Sequence, residues 1–216
     1  MRQQIIPRPR RSTLRQRLLR TALVAVAAVL LAASVGKLLG GDGPEGPIAR
    51  VAFTVTAAGE SDARPPVVEA VETERRKIAE VLDRWYQAAF VDPSKFDGGA
   101  FGEASEHFAK EAKGSFRRDV ATLTIGEARD EVLRVVPETA TADVTVFFEK
   151  GSHPRFAVAV VDFVAVGTRK EKGEAPLRIV QHGTFHLERI GGRWVVVFYE
   201  AEQKQNSVTP RPEGSP

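Results

Sequence analysis

Residues 177–200 read LRIVQHGTFHLERIGGRWVVVFYE. β-Branched and aromatic residues fill both sides of Ile190-Gly191-Gly192, and the apolar pattern has a period near two rather than 3.6. A glycine pair between two such runs signals a tight hairpin, because glycine takes the positive φ of two-residue turns without steric cost. The stretch therefore reads as two antiparallel strands, 177–188 and 193–202, closing a sheet.

The same period extends back toward Gly126, giving strands at 131–136, 139–149 and 155–167. Pro137, the stretch Gly151 to Pro154 and a charged turn at 168–176 separate them. Two strands are apolar on both faces: 156–166 carries Asp162 as its one charge, and Trp194-Val195-Val196-Val197-Phe198-Tyr199 carries none. A sheet with one solvated face alternates. The second face is therefore expected to be covered by more than this chain's own helices, through self-association or another protein.

Before Gly126 the period is helical. Val67, Val68, Val71, Ile78, Val81, Leu82, Trp85, Ala89 and Phe90 form one stripe, with Glu72, Glu74, Arg75, Lys77, Glu80 and Arg84 on the other face. That is an amphipathic helix of about 25 residues, opened at Pro65 and stopped near Asp92-Pro93. Phe101, Ala104, Phe108, Ala112, Phe116, Val120 and Leu123 form a second stripe, which Gly114 is expected to break in two. Helices first and a meander of strands afterwards is an α+β pattern, with the helices on one face of an antiparallel sheet. A short edge strand is expected around 51–56, and 203–216 reads as a disordered polar tail.

The amino end has a different character. Arg2, Arg8, Arg10, Arg11, Arg15, Arg17 and Arg20 precede Thr21 to Gly36, sixteen residues without a charge. With Lys37 snorkelling, the apolar run reaches about 20 residues, enough to cross a bilayer. The one-sided arginines then place the amino terminus in the cytoplasm and the body outside the plasma membrane. A cleaved signal peptide ending near Ala32-Ala33-Ser34, or a twin-arginine signal at Arg10-Arg11, also exports the body. The divisions expected are a basic arm at 1–20, an anchor at 21–41, a Gly/Pro linker at 42–65, the folded domain at 66–202 and the tail.

Of 31 basic residues eight lie in 1–41, where there is no acid, so the remainder carries 23 against 28 acids, a balance of −5. The body is thus no nucleic-acid binder by charge. The absence of cysteine excludes disulfides, thiol nucleophiles and Cys-ligated metals. No phosphate loop, His-Glu-x-x-His or Gly-x-Ser-x-Gly motif is present, and no cofactor or metal is expected.

A long helix carrying Trp85-Tyr86, shorter helices, and a meander ending Gly191-Gly192-Arg193-Trp194-Val195-Val196 resembles the NTF2-like (SnoaL-like) superfamily over residues 66–202. The arginine arm and single anchor make the chain similar to actinobacterial Mce-associated membrane proteins and to VirB8-type scaffold proteins. The resemblance implies a cone of helices on a curved sheet, and a non-enzymatic accessory or assembly protein of a cell-envelope complex. Two alternatives stand beside it: a small-ligand or lipid carrier using the cone, and an isomerase- or dehydratase-type enzyme of the superfamily.

The residues expected to line a pocket are Tyr86, on the first helix where superfamily isomerases place a Tyr, His107 beside the second apolar stripe, and Asp162. Strand alternation puts Asp162 among Phe156, Val158, Val160, Val164 and Val166. A carboxylate there must be paired, protonated, or turned outward by a bulge. His182 and His186, about 13 Å apart at strand rise, are too far separated to share a metal and read as a polar strand face.

Overall fold

The computed structural model describes residues 48–57, 65–149 and 153–208. The expected arm, anchor and much of the linker lie outside the described residues, as does the end of the tail. No helix among the described residues is long and apolar enough to cross a membrane.

Helix α1 spans Pro65–Tyr86 and continues as a π-helical turn, Gln87–Val91. Its stripe of Ile78, Leu82 and Trp85 is fully buried, as are Ala89 and Phe90 in the turn. Each such large apolar side chain contributes roughly 1.5–3 kcal/mol on leaving water. The helical run stops at Asp92, which is extended before Pro93 and accepts the Ser94 backbone N–H at 3.0 Å. The second stripe forms three short helices, α2 (Gly102–Ser105), α3 (Lys113–Arg118) and α4 (Val120–Leu123). Gly114 lies within α3, so the expected break at that residue is corrected. The interruption falls just before α3, where Phe108 pairs in parallel with Val196 of the sheet.

Five strands follow the order β1-β2-β3-β4-β5. They are β1 (Thr54–Ala57), β2 (Val132–Glu149), β3 (His153–Arg169), β4 (Leu177–Ile190) and β5 (Arg193–Ser207). β1 pairs in parallel with residues 141–144 of β2, and the other pairings are antiparallel, so the sheet is mixed. Pro137 does not divide β2: it pairs with Ala165 at a register shift, beyond the four residues that β1 covers. A proline with no N–H is tolerated where that side of a strand has no partner. β5 runs five residues past Glu202, correcting the expected start of the tail. Gln203 and Gln205 of this extension donate to the carbonyls of Ala121 and Ile125, both at 3.1 Å. Gln181 donates to Thr122 O at 2.6 Å. Three glutamines thus satisfy carbonyls at and beyond the carboxyl end of α4, which has no further helical turn to do so.

β3 alternates cleanly. Ala157, Ala159, Val161, Phe163 and Ala165 are buried under the helices, while Phe156, Val160 and Asp162 are exposed on the opposite face. The helices cover one face of the sheet only, and the outer face keeps an apolar content that alternation alone does not remove.

Candidate functional site

The space between helices and sheet is filled by rings. Tyr86 packs against Trp85, Phe53, Phe90 and Phe163 at centroid distances of 4.7, 4.9, 5.3 and 4.9 Å. Trp85 meets Phe108 and Phe185 edge-on at 5.0 and 4.9 Å. One polar chain crosses this layer: Tyr86 Oη donates to Gln181 Oε1, and Gln181 Nε2 donates to Thr122 O. Burial, and to a smaller degree the Asp162 charge, holds the Tyr86 phenol well above its ordinary range, so it stays protonated. The Trp85 indole N–H has no hydrogen-bond partner among the described residues.

The three expected pocket residues are not brought together. Tyr86 is fully buried and committed to Gln181. Asp162 sits on the outer sheet face, its side chain 62% exposed, with Oδ1 2.6 Å from Nδ1 of the cross-strand His182. Pairing without any bulge at that point resolves the three options left open for it, and it lines no pocket. Of the three, His107 lines the cleft described next.

That cavity is a cleft of about 740 Å³ outside the aromatic layer, between α1, the segment from Asp97 to His107, and the β4–β5 hairpin. Each wall has an identifiable support. Phe101, buried beside Phe96, turns the segment through a left-handed conformation at φ 49°. Two backbone bonds then clamp it to β5, from Val196 N to His107 O at 2.9 Å and from Ala109 N to Val196 O at 2.8 Å. The hairpin is fixed to α1 by Glu74, which accepts from Trp194 Nε1 at 2.9 Å and Lys77 Nζ at 2.7 Å, with Arg189 at 3.6 Å. Burial would raise this carboxyl, but the hydrogen bonds from Lys77 and Trp194 and the nearby charges outweigh it, holding Glu74 below the ordinary carboxylate range. Glu74 is only 6% exposed, which corrects its assignment to the solvent face. The signal was available, since four-residue steps to Ile78 and Leu82 put it on the buried stripe.

Lys77, Arg84 and Arg193 line the cleft together with Glu80, Asp97, Glu103 and Glu106. Glu103 is bridged to Lys95 at 2.7 Å. The Arg84 Nε donates to the Glu80 carbonyl, and no ion pair engages the Arg84 guanidinium among the described residues. Burial, then the positive charge of Arg84, lowers the His107 pKa, against a smaller opposing effect of Glu106 and Glu103. The imidazole is therefore neutral at pH 7 and able to accept a proton. No group of three or more metal-ligating side chains occurs among the described residues.

No family model and no curated protein matches the chain. Solved structures do. A hexachlorocyclohexane dehydrochlorinase (LinA) Type2 aligns over 69% of this chain and 98% of its own, at 9% identity and TM-score 0.43. A putative scytalone dehydratase from Novosphingobium aromaticivorans aligns over 69% and 99%, at 10% identity and TM-score 0.42. Helices on one face of a mixed five-stranded sheet are an α+β arrangement. Both are described as enzymes, so the expected non-enzymatic assembly role is not borne out by them. At such identity the likeness concerns shape, and it transfers neither chemistry nor substrate to this chain.

Proposed function

We propose that the domain binds a small polar molecule carrying an anionic group, seated in the cleft rather than in the cone. The observation that supports this is a walled cleft in which the guanidinium of Arg84, without an acidic partner among the described residues, stands beside a desolvated His107. In the interior Tyr86 packs ring against ring with Trp85, Phe53, Phe90 and Phe163. Titrating small mono- and dicarboxylates into isotope-labelled protein tests the reading by NMR. Shift changes should gather at Arg84, Glu106, His107 and residues 192–195, and Arg84→Gln should remove them. Changes confined to the surroundings of Tyr86 and Gln181, or none anywhere, refute it.

A second reading makes the ligand a substrate. A neutral imidazole at the cleft wall is suited to take a proton from a carbon or hydroxyl beside the bound anion. His107→Gln would then keep binding and abolish turnover. Location is a separate matter: the arginines and apolar run of residues 2–36 support export of the domain, which protease added to intact cells would test.

A further inference from the structure

The charges that line the cleft do not suit an anion alone. Lys77 is taken up by Glu74 at 2.7 Å and Glu103 by Lys95 at 2.7 Å. Two guanidinium groups, Arg84 and Arg193, then remain with three carboxylates, Glu80, Asp97 and Glu106, and none of these five enters an ion pair among the described residues. Two positive charges against three negative leave the lining at −1. A simple anion is therefore attracted at the guanidinium groups and repelled by the cleft as a whole. The signs are also divided by element. Arg84 stands on α1 and Arg193 opens β5, whereas Asp97 and Glu106, like the paired Glu103, belong to the segment from Asp97 to His107. Arg84 and Glu106 both act on the His107 imidazole, so a positive and a negative group border the same small space. The acidic segment is fixed from behind: a Cβ at Gly99 would come within 2.8 Å of the Arg129 guanidinium carbon, and Arg129 Nη1 donates to the Gly126 carbonyl at 3.2 Å. Asp97 itself is held left-handed at φ 46°. No group of three metal-ligating side chains forms here among the described residues. The negative charge is thus spread along a wall, which suits an organic cation better than a metal ion.

We infer that the ligand of this cleft is a zwitterion with separated charges, of the class of an ω-amino acid or short peptide, its carboxylate at Arg84 and Arg193 and its ammonium group at Asp97 and Glu106. The inference rests on the anion-binding reading above and adds the second charge to it. A molecule of no net charge meets no overall repulsion, and each of its ends finds groups of opposite sign already held in place. An amine without a carboxylate would leave both guanidinium groups unmatched. The cleft, about 740 Å³, has room for a molecule with its charges at two ends, since small-molecule sites run from about 300 to 1,000 Å³.

Three molecules on one four-carbon skeleton test this with the isotope-labelled full-length protein: butyrate, γ-aminobutyrate and butylamine, each titrated and followed by NMR. γ-Aminobutyrate should bind at least about fivefold more tightly than butyrate, the gain expected of one further exposed ion pair, and more tightly than butylamine. The double variant Asp97→Asn, Glu106→Gln should erase that advantage and bind butyrate as well as the wild type or better. Both positions are exposed, and Asn tolerates the left-handed backbone as Asp does, so the fold should be kept. Butyrate binding as tightly as γ-aminobutyrate, or an advantage of γ-aminobutyrate that survives the loss of both acids, would overturn the inference and leave the anion-binding reading standing. Tightest binding by butylamine, or no shift of any cleft resonance with butyrate or γ-aminobutyrate, would overturn the two together.

Discussion

Tyr86 and Gln181, 95 positions apart, share a buried hydrogen bond at the centre of the aromatic layer. The bond joins the end of α1 to the middle of β4, and the same amide carries the connection on to α4 through Thr122. Tyr86→Phe keeps the ring contacts but leaves the Gln181 carbonyl oxygen buried without a donor, a loss of about 1–3 kcal/mol. Thermal unfolding should show it as a lower Tm, with carboxylate binding in the cleft unchanged. A stable Tyr86→Phe protein that no longer bound ligand would return the site to the cone.

Glu74 should govern acid stability. Its folded pKa lies below the unfolded value of 4.5, so the carboxylate stabilises the fold above that value, and this contribution is lost as pH falls through the folded pKa. Glu74→Gln weakens the interaction with Lys77 and Arg189 and lowers stability at pH 7 by about 1.5–3 kcal/mol. It should also flatten the decline in stability between neutral pH and the acid range, measured by urea unfolding at a series of pH values.

The hairpin at Gly191-Gly192 and the α1 stripe were legible because each follows from local chemistry: positive φ at the two glycines and a 3.6-residue period. Pro137 and Gly114 misled because their effects depend on neighbours. Proline interrupts a ladder only where a partner needs its N–H, and β1 stops short of it. Asp162 shows the same limit at the site. Alternation gave its companions on one face correctly, but which face the helices would cover is a tertiary fact, and it turned a pocket candidate into a surface pair with His182. The cleft itself joins α1, a loop and a hairpin from three distant parts of the chain. No local pattern could announce it, although His107 was singled out for its place beside the stripe.

Gly183 tests the packing of β4 on β5. A Cβ there would come within 2.9 Å of the Ala201 side chain and 3.0 Å of both the Glu200 carbonyl and the Phe185 ring. Backbone and a buried ring do not yield easily, so Gly183→Ala should cost roughly 1–3 kcal/mol despite the better strand propensity of alanine. Urea unfolding reads the loss directly, and a variant as stable as wild type would show that the two strands separate freely at this point.

His107 offers the sharpest check on the electrostatics of the cleft. Its folded pKa lies below the unfolded value of 6.5, first through burial and then through Arg84. Protons therefore favour the unfolded chain, and stability falls as pH drops below 6.5 toward the folded pKa. Arg84→Gln removes the second cause and leaves the first, so the imidazole should titrate higher than in wild type yet still below 6.5 in an NMR titration. A bound carboxylate should move it the same way in the wild-type protein by placing a negative charge between the two side chains. An imidazole pKa that ignored both Arg84→Gln and saturating carboxylate would separate His107 from the anion and remove the basis for proton transfer in the cleft.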